Sequence, residues 1–595
     1  MVTFAPEVAD VAGRREAVPG TGLRSRMDLA APLVYLLGGV YLTARFWGGP
    51  GTRIQSGNVQ DQGFFQFVLA HAAHSVTHVS NPLFDGRINV PDGVNMMANT
   101  SILGLALPLA PVTLLFGPAV SYVVLLALVP FLTAAVWYHV LSRQVVRSRV
   151  AAFVAGGFCG FAPGIVSQAN GHPNVAAQFL VPLILVHVAR LGTGARPVRT
   201  GVSLGLLIVW QVFINEEVLL FTALIGGLMA VVYGLSRRAE WRAVLGGGLA
   251  GLAIAALVAG ALLAYPLWFQ FFGPQHYGAV PSLSVVLYSD IGSYLSSPTR
   301  SITGSSPNDL GFYAHPAEEN AYYGWPLLIL AGTIAGWLWR HLLVRIATVV
   351  ALFFAALSLG PTLTVYGHST GIPGPFRLIK RLPLIESVVP VRFALVVIPA
   401  LGLLLAIGLD AILAQPGVLA RSSPVWCAGF LGALVPIFPT PLPAVDGPRL
   451  PAFVSAGMWR QYVPAGRSVV TVPVPSYVNI DGQRWSAAQE LDLPIAGGYF
   501  LGPGPGQEDR ARYGPPPRPT AVLLDEVART GTEPVVTDAD RQGASEDLTF
   551  WRAAVMMIGA VPHAEPLRDT VRDLLRAEPR WIGGAWVWDV RAMVG

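Results

Sequence analysis

The predicted membrane topology depends on the stretch SILGLALPLAPVTLLFG, residues 101–117. It is followed by AVSYVVLLALVPFLTAAVWYHVL at 119–141. A helix that crosses a membrane needs about 20 mostly apolar residues, a length that the second stretch reaches. Pro108 and Pro111 interrupt the first stretch. Counting it as a span would also put the arginines after residue 141 outside, whereas Arg-rich loops tend to stay in the cytoplasm. We therefore predict a span at 119–141 and a re-entrant or surface-lying element at 101–117.

The composition of the whole chain also indicates a membrane protein. Of its 595 residues, 53% are hydrophobic and 12% are charged, and the mean hydropathy is +0.54. A soluble globular chain carries roughly 25% charged residues, so about half of the usual charge is missing. This excludes a soluble enzyme, a disordered protein and a nucleic-acid-binding module. The composition therefore predicts an α-helical polytopic membrane protein with lipid, and no nucleic acid, among its partners.

Eleven stretches have the length and apolar character of a span, and the arginine-bearing loops between them predict a cytoplasmic N-terminus and an outer C-terminus. The predicted spans are 29–48, 119–141, 149–167, 174–190, 200–215, 217–236, 243–270, 322–339, 344–361, 391–412 and 424–440.

This topology divides a multi-pass plasma-membrane protein into three predicted parts. Residues 1–28 form a cytoplasmic tail, 29–440 form the transmembrane domain, and 441–595 form an extracytoplasmic α+β domain with a normal charge density. Connections longer than about 12–15 residues are usually functional or disordered. The long outer loops contain aromatic residues and scattered charges, unlike disordered segments. The active face is therefore predicted outside, on the loops 49–118, 271–321 and 362–390.

The first outer loop reads RIQSGNVQDQGFFQFVLAHAAHSVTHVSNPLFDGRINVPDGVNMMANTS from residue 53. Asp61 stands just before the aromatic run FFQFVLA, which suits a helix lying in the membrane interface. A helix N-terminus stabilises a carboxylate as an anion, and an anion at this boundary can accept a proton from a bound hydroxyl. Asp61 is thus the candidate catalytic base, with a plain helix cap as the alternative. His71, His74 and His78 share one helix face, which we interpret as its wet face.

Two acids, Glu216 and Glu217, interrupt the apolar sequence WQVFINEEVLLFTA. Acids at the edge of a bilayer are expensive and are functional candidates by default. Both are candidates for binding substrate, and an outer turn whose carboxylates simply face water is the alternative.

Two further outer segments supply polar candidates for substrate binding. Asn170 and His172 lie in QANGHPN, which is otherwise a plain Asn-Gly turn. Glu319 and Tyr322 lie in AEENAYYG, where the tyrosine also suits an interfacial anchor.

A basic cluster in PFRLIKRLPLIESVVPVRFAL, residues 375–395, lies outside in this topology, against the usual distribution of positive charge. Arginine suits a phosphate because its planar guanidinium donates two parallel hydrogen bonds. Arg392 and Arg381 are therefore candidate phosphate ligands, and contact with lipid headgroups is the alternative. Because no phosphate-cradling Gly-rich loop is evident, ATP-driven transport is disfavoured.

Taken together, these segments resemble the GT-C superfamily of integral-membrane glycosyltransferases, including its bacterial members. The resemblance covers most of 29–440 and rests on the long first outer loop with Asp61, the outer acids, and the PVRFA segment with Arg392. The family's first loop often carries two neighbouring acids, whereas Asp61 here is followed by Gln62.

The resemblance implies an inverting transfer from a polyprenyl-phosphate sugar to a cell-envelope glycan, glycolipid or protein. Asp61 would be the base and Arg392 and Arg381 would bind the phosphate, while the polar residues above would orient sugar or acceptor. A divalent cation such as Mg²⁺ is left open as cofactor, and no metal ligands are assigned. In the tail, Trp459, Trp485 and Tyr499 suit either stacking on sugar rings or core packing.

Two other classes share the many spans and the polar outer face. A transporter or flippase of lipid-linked glycans should carry charged or broken helices near the bilayer midplane. Here the acids cluster at predicted helix ends, which favours an interfacial enzyme. A non-catalytic scaffold for cell-wall assembly would leave the Glu216–Glu217 pair and the outer arginines unexplained.

Overall fold

The computed structural model describes residues 21–192, 196–278, 287–304, 317–414, 418–504 and 510–594. Most of the predicted cytoplasmic tail and part of the predicted loop 271–321 lie outside the described residues.

Helices dominate the first three quarters of the described chain. In chain order the α-helices are α1 (Thr21–Leu42), α2 (Val59–His78), α3 (Leu103–Val140), α4 (Arg149–Phe161), α5 (Pro163–Ala169), α6 (Pro173–Ala176), α7 (Val181–Leu191), α8 (Pro197–Val212), α9 (Glu216–Ser236), α10 (Arg238–Phe272), α11 (Ile291–Leu295), α12 (Trp325–Trp337), α13 (Leu342–Ser358), α14 (Val397–Leu413), α15 (Val418–Leu434), α16 (Ala452–Ser455), α17 (Asp481–Ala488), α18 (Pro519–Thr530), α19 (Asp538–Phe550) and α20 (Ala564–Leu575).

Strands are short and are concentrated towards the C-terminus. They are β1 (Arg53–Gln55), β2 (Phe84–Asp85), β3 (Val94–Asn95), β4 (Thr362–Val365), β5 (His368–Pro373), β6 (Ala444–Asp446), β7 (Ser468–Thr471), β8 (Leu501–Pro503), β9 (Ala511–Tyr513), β10 (Ala553–Ile558), β11 (Arg580–Ile582) and β12 (Ala585–Asp589).

Each of the eleven predicted spans falls on one or two of these helices. Five helical stretches of the described chain are long and apolar enough to cross a membrane, which supports a membrane protein, while the number eleven stays a prediction. One of them, Gly246–Phe272, points large leucines such as Leu257 outwards, where 72% of its surface is exposed. Apolar side chains exposed along a whole helix suit contact with lipid. The five stretches are Leu103–Val145, Arg149–Ala169, Glu216–Ser236, Gly246–Phe272 and Pro390–Leu413.

The stretch 101–117 forms a helix despite its two prolines. Gly117 breaks α3 with φ 81° and ψ 165°, a conformation that glycine adopts readily because it lacks Cβ. The apolar helix before Gly117 is therefore separate from the span that follows. Its placement as re-entrant or surface-lying stays a prediction.

The chain forms two compact units. The first contains the described parts of Met1–Arg45, Leu125–Leu263 and Ser282–Leu442, and the second those of Phe46–Val124, Ala264–Pro281 and Pro443–Gly595. The predicted tail domain thus shares its unit with the whole first outer loop, 49–118, and its predicted boundary at residue 441 stays a prediction.

In the second unit, the C-terminal segment has a four-stranded sheet in the order β11-β12-β10-β7. Strand β10 pairs in parallel with β7 and antiparallel with β12. Its sequence AAVMMI is buried along its whole length, as expected for a central strand covered on both faces. Leu524, Leu548 and Val571, one from each of α18, α19 and α20, belong to the apolar core of this sheet.

The first outer loop is bound to this C-terminal segment by backbone pairing. Strand β1 pairs antiparallel with β6. Further along, the Ile495 N–H donates to the Arg87 carbonyl over 2.8 Å, and the Val90 N–H donates to the Ile495 carbonyl over 3.1 Å. The Asn99 side chain both accepts from and donates to the Leu501 backbone, at 2.7 and 2.8 Å. These bonds give the loop a defined conformation.

Within the loop, His71 and Asp85 form a buried ion pair, so the predicted wet helix face is wrong for His71. Its Nδ1 lies 2.7 Å from Asp85 Oδ2 and its Nε2 lies 3.0 Å from the Pro82 carbonyl, so both ring nitrogens face acceptors. Burial disfavours both charges, but the hydrogen bond and the partner's charge outweigh it. The pKa of His71 is raised and that of Asp85 is lowered, as expected for an imidazolium–carboxylate pair.

We expect Asp85→Asn to lower the stability of the protein by about 3–5 kcal/mol, because the buried imidazolium loses its counter-charge. The measurement is the unfolding midpoint in detergent, with the exposed Asp92→Asn as the matched control.

The difference between wild type and Asp85→Asn should depend on pH. The contribution of His71, whose pKa is raised, is complete below its ordinary value of 6.5 and is lost as the pH rises through the raised pKa. The contribution of Asp85, whose pKa is lowered, is complete above 3.8 and is lost as the pH falls through the lowered pKa. The difference should therefore be largest between these values, and a difference independent of pH would contradict the pairing.

Candidate functional site

Asp61, the predicted base, lies in the first turn of α2 in the second unit. It is half-buried, and its Oδ1 accepts a hydrogen bond of 2.9 Å from the Tyr499 hydroxyl. Burial, the charge of Asp61 and this hydrogen bond all raise the pKa of Tyr499. Tyr499 therefore stays a proton donor to a carboxylate that the helix N-terminus also stabilises as an anion.

Tyr499 is itself held in place from two sides. The buried Gln483 accepts from the Tyr499 backbone N–H over 2.7 Å and donates to its carbonyl over 3.3 Å. The Phe64 ring packs edge-on against the tyrosine ring, with 6.1 Å between the centroids. The hydroxyl that contacts Asp61 is therefore fixed by both the helix of Asp61 and the C-terminal segment.

A second polar cluster, formed by Glu217, Glu318 and Arg392, lies in the first unit. The guanidinium of Arg392 donates from Nε and Nη2 to Glu318 Oε1, at 2.9 and 2.6 Å. Its Nη1 donates to Glu217 Oε2 over 2.7 Å. These bonds engage three of the five N–H donors of an arginine. Because two carboxylates share one guanidinium, the cluster carries one net negative charge.

Amide and imidazole side chains complete the surroundings of Glu318. Gln168 and Asn320 each donate to its Oε2 over 2.8 Å. His172 Nδ1 lies 3.0 Å from Gln168 Oε1 and 3.6 Å from Glu318 Oε1. Burial alone would raise the pKa of Glu318, but the charges of Arg392 and His172 and the hydrogen bonds lower it. Glu318 is thus an ionised carboxylate, and the accessible edge of the cluster consists of Glu217, Arg392 and His172.

Local structure explains how each residue of the cluster is presented. Glu217 lies in the first turn of α9, which the side chain of Asn215 caps by accepting from the Val218 N–H over 2.8 Å. Arg392 lies on the 3₁₀ helix Pro390–Val396, to which Tyr323 is tied by donating its hydroxyl proton to the Ala394 carbonyl over 2.6 Å.

Of the predicted site residues, the structure brings together Glu217, His172 and Arg392. Asn170 is buried in its turn, Tyr322 is buried, and Glu216 is exposed at the start of α9. Arg381 is exposed, and no contact found in the described part of the chain joins it to the cluster. Asp61 lies in the other unit.

Glu319 has a different environment from its neighbour Glu318. It accepts from the Thr299 hydroxyl and backbone N–H, at 2.5 and 3.1 Å. Burial raises its pKa more than Thr299 and Arg300 lower it. The sequence did not distinguish the two adjacent acids, and it assigned the site to Glu319 although Glu318 is the residue that pairs with Arg392.

Sequence reasoning also missed Gln168 and Asn320 as partners of Glu318. Gln168 lies in QANGHPN and Asn320 in AEENAYYG, so each stands close in sequence to a predicted site residue. This proximity was the one signal that could have indicated them. In the described part of the chain, no group of three or more His, Cys, Asp or Glu side chains is placed to hold a metal ion.

Solved membrane glycosyltransferases are similar to this chain. AftD, an arabinofuranosyltransferase from Mycobacteria, matches with a TM-score of 0.52 and 13% identity, over 95% of this chain and 40% of its own. The archaeal oligosaccharyltransferase AglB from Archaeoglobus fulgidus, in complex with an inhibitory peptide and a dolichol-phosphate, gives 0.46 and 11%, over 90% and 70%. ArnT from Cupriavidus metallidurans bound to undecaprenyl phosphate gives 0.43 and 14%, over 97% and 100%.

The likeness to AftD confirms, at the level of fold, the predicted resemblance to the GT-C glycosyltransferases. The chain spans about two fifths of the length of AftD. The family model described as "Domain of unknown function (DUF6311)" matches residues 54–388, more than half of the chain, and the chain belongs to this family. The comparison with curated proteins gives no match.

We expect Arg392→Gln to destabilise the protein by about 3–5 kcal/mol, because it leaves two partly buried carboxylates without a counter-charge. The double variant Arg392→Gln/Glu318→Gln should regain part of the loss, since one of the two charges is then gone. The measurement is the unfolding midpoint in detergent, with the exposed Arg381→Gln as control. If Arg392→Gln melts like the wild type, the cluster does not stabilise the fold.

Proposed function

We propose that this protein is an integral-membrane glycosyltransferase. It transfers a sugar from a polyprenyl-phosphate donor to a cell-envelope glycan, glycolipid or protein at the outer face of the plasma membrane. The observation that carries this proposal is the Asp61 carboxylate, fixed by Tyr499 at the start of α2 in a chain with a GT-C fold. A carboxylate in the first turn of a helix that is still partly exposed suits proton removal from a hydroxyl.

The proposed step is a direct displacement with inversion. The acceptor hydroxyl loses its proton to Asp61 as its oxygen forms a bond to the anomeric carbon. The bond between that carbon and the phosphate oxygen breaks, and the electron pair leaves with polyprenyl phosphate. Asp61 then releases the proton to water. Tyr499 keeps the carboxylate oriented by donating a hydrogen bond to its Oδ1.

For the donor phosphate, we favour Arg381 over Arg392. Arg392 is already shared by two carboxylates, which engage three of its N–H donors. Arg381 instead lies in the exposed segment 377–384, where Arg377 and Lys380 are exposed as well. Leu378 and Leu384 of this segment expose 88% and 71% of their surface. Cations beside exposed leucines suit a lipid with an anionic headgroup.

The cluster of Glu217, Glu318 and Arg392 is proposed to orient the hydroxyls of sugar or acceptor. Carboxylates accept from sugar hydroxyls, and an array held by charged hydrogen bonds is pre-organised. His172 and Glu217 supply the accessible acceptors and donors, while Glu216, Asn170, Glu319 and Tyr322 remain predicted neighbours of this site.

The decisive assay uses the purified protein in nanodiscs with a panel of radiolabelled polyprenyl-phosphate sugars and a cell-envelope extract as acceptor. Transfer establishes the enzyme and names the donor. Absence of transfer with every donor, together with movement of lipid-linked glycan across liposomes, would replace the proposal by a flippase. Parallel reactions with EDTA and with Mg²⁺ decide whether a divalent cation takes part.

In this assay, Asp61→Asn should lower kcat by about 10²–10⁴-fold, the usual contribution of a general base. The unfolding midpoint should stay that of the wild type, and Asp92→Asn should transfer at the normal rate. Full activity of Asp61→Asn would remove Asp61 as the base.

Tyr499→Phe removes the hydrogen bond to Asp61 and should lower kcat by about 10- to 150-fold, since a hydrogen bond to a charged group is worth about 1.5–3 kcal/mol. The acidic limb of the pH–rate profile should move to higher pH, because the bond favours the ionised carboxylate. An unchanged profile would mean that Tyr499 only supports the fold.

Arg381→Gln should raise the KM for the donor by about three- to tenfold with little change in kcat, because an exposed charge contributes mainly to ground-state binding. The effect should shrink as salt is added, since exposed charges are screened. The control is Arg199→Gln, an exposed arginine of a predicted inner loop. Equal effects of both substitutions would refute the assignment of Arg381.

A further inference from the structure

Three tyrosines, Tyr477, Tyr499 and Tyr513, form one aromatic cluster in the second unit. Tyr477 lies 5.7 Å from Tyr499 and 5.5 Å from Tyr513 between ring centroids. Tyr499 and Tyr513 stack with 6.0 Å between centroids and 22° between their planes. Tyr477 exposes 52% of its surface and Tyr513 exposes 40%, so the cluster has an accessible aromatic face.

Each of the three tyrosines lies in a backbone segment that hydrogen bonds hold in place. Tyr477 lies in a turn closed by the Ser476 N–H donating to the Asn479 carbonyl over 2.7 Å. Tyr513 ends β9, where it pairs with Leu501 of β8. Tyr499 is held by Gln483 as described above. A rigid tyrosine surface needs little ordering upon binding, which is why tyrosine is common at binding sites.

The same cluster is joined to the proposed base. Tyr499, its innermost member, donates its hydroxyl proton to Asp61. By contrast, Trp459 and Trp485, which the sequence also offered for sugar stacking, are each 4% exposed and pack in the interior. The aromatic face beside the carboxylate is therefore formed by tyrosines, which combine an apolar ring with a hydroxyl that can bond to sugar hydroxyls.

We propose that Tyr477, Tyr499 and Tyr513 form a saccharide-binding platform that holds the acceptor glycan next to Asp61. The role next to Asp61 rests on the proposed function, whereas saccharide binding by the platform does not require catalysis. Sugar rings stack their C–H faces on the exposed rings of Tyr477 and Tyr513. An acceptor hydroxyl then reaches the Asp61 carboxylate.

The test measures saccharide binding by the full chain in nanodiscs without donor lipid. Saturation-transfer NMR is recorded with neutral hexasaccharides of glucose, mannose, galactose and arabinose, and Kd is obtained by titration. At least one hexasaccharide should bind, and Tyr477→Ala and Tyr513→Ala should each weaken it by about tenfold, the loss expected for a central aromatic contact. Tyr477→Phe keeps the ring and should retain most of the binding.

The matched control is Trp581→Ala, since Trp581 is 61% exposed in the same unit and its ring packs against Trp586. Its binding should equal that of the wild type. Unfolding midpoints of all variants should agree, because the substituted side chains are exposed.

Two results overturn the platform: no hexasaccharide binds, or Tyr477→Ala and Tyr513→Ala bind as well as Trp581→Ala. The second result is the one expected if the tyrosines merely anchor the protein in the lipid interface. Saccharide binding that depends on the tyrosines, combined with no sugar transfer, would keep the platform and reject the catalytic proposal. Sugar transfer that depends on Asp61, without saccharide binding that depends on the tyrosines, would keep the catalytic proposal and reject the platform.

Discussion

The pairing of the first outer loop with the C-terminal segment fixes the position of Asp61. Strand β1, which precedes α2, is hydrogen-bonded to β6, and beyond α2 the side chain of Asn99 is bonded to Leu501. Long-range bonds thus hold the chain on both sides of α2, whose first turn carries Asp61. Tyr499, which is 438 residues further along the chain, donates its hydroxyl proton to Asp61 in this first turn. The C-terminal segment is therefore part of the candidate site, and not an appended domain alone.

A second constraint is the cost of burying charge in an apolar unit. Isolated ions are strongly disfavoured there, so charges must be paired and hydrogen-bonded. Glu318 satisfies this requirement with Arg392, Gln168 and Asn320. The same requirement acts in the outer loop, where Asp85 accepts from His71 and from the backbone of Arg87 and Ile88. In both places the few charged and polar side chains of an apolar sequence hold the neighbouring segments together by hydrogen bonds.

Sequence reasoning located the helices because hydropathy over about 20 residues is a local property. It failed where partners are distant along the chain. His71 has the spacing of a wet helix face, yet Asp85, 14 residues later, folds back on it and buries it. Glu318 and Glu319 look alike in sequence, but Glu318 pairs with Arg392, 74 residues away, whereas Glu319 accepts from Thr299. Periodicity and composition contain no information on such pairings, which depend on the tertiary fold.

Within the first unit, charged side chains occur in two different settings. Glu217, Glu318 and Arg392 form a cluster with a net negative charge, in which the arginine is already engaged. Arg381 lies instead on an exposed segment whose leucines are also exposed. Exposed cations beside apolar side chains suit an anionic lipid headgroup, whereas carboxylates suit hydroxyl donors. Under the proposed function, the exposed segment would bind a phosphate with an apolar tail and the cluster would bind the sugar, which are the two chemical halves of a lipid-linked sugar.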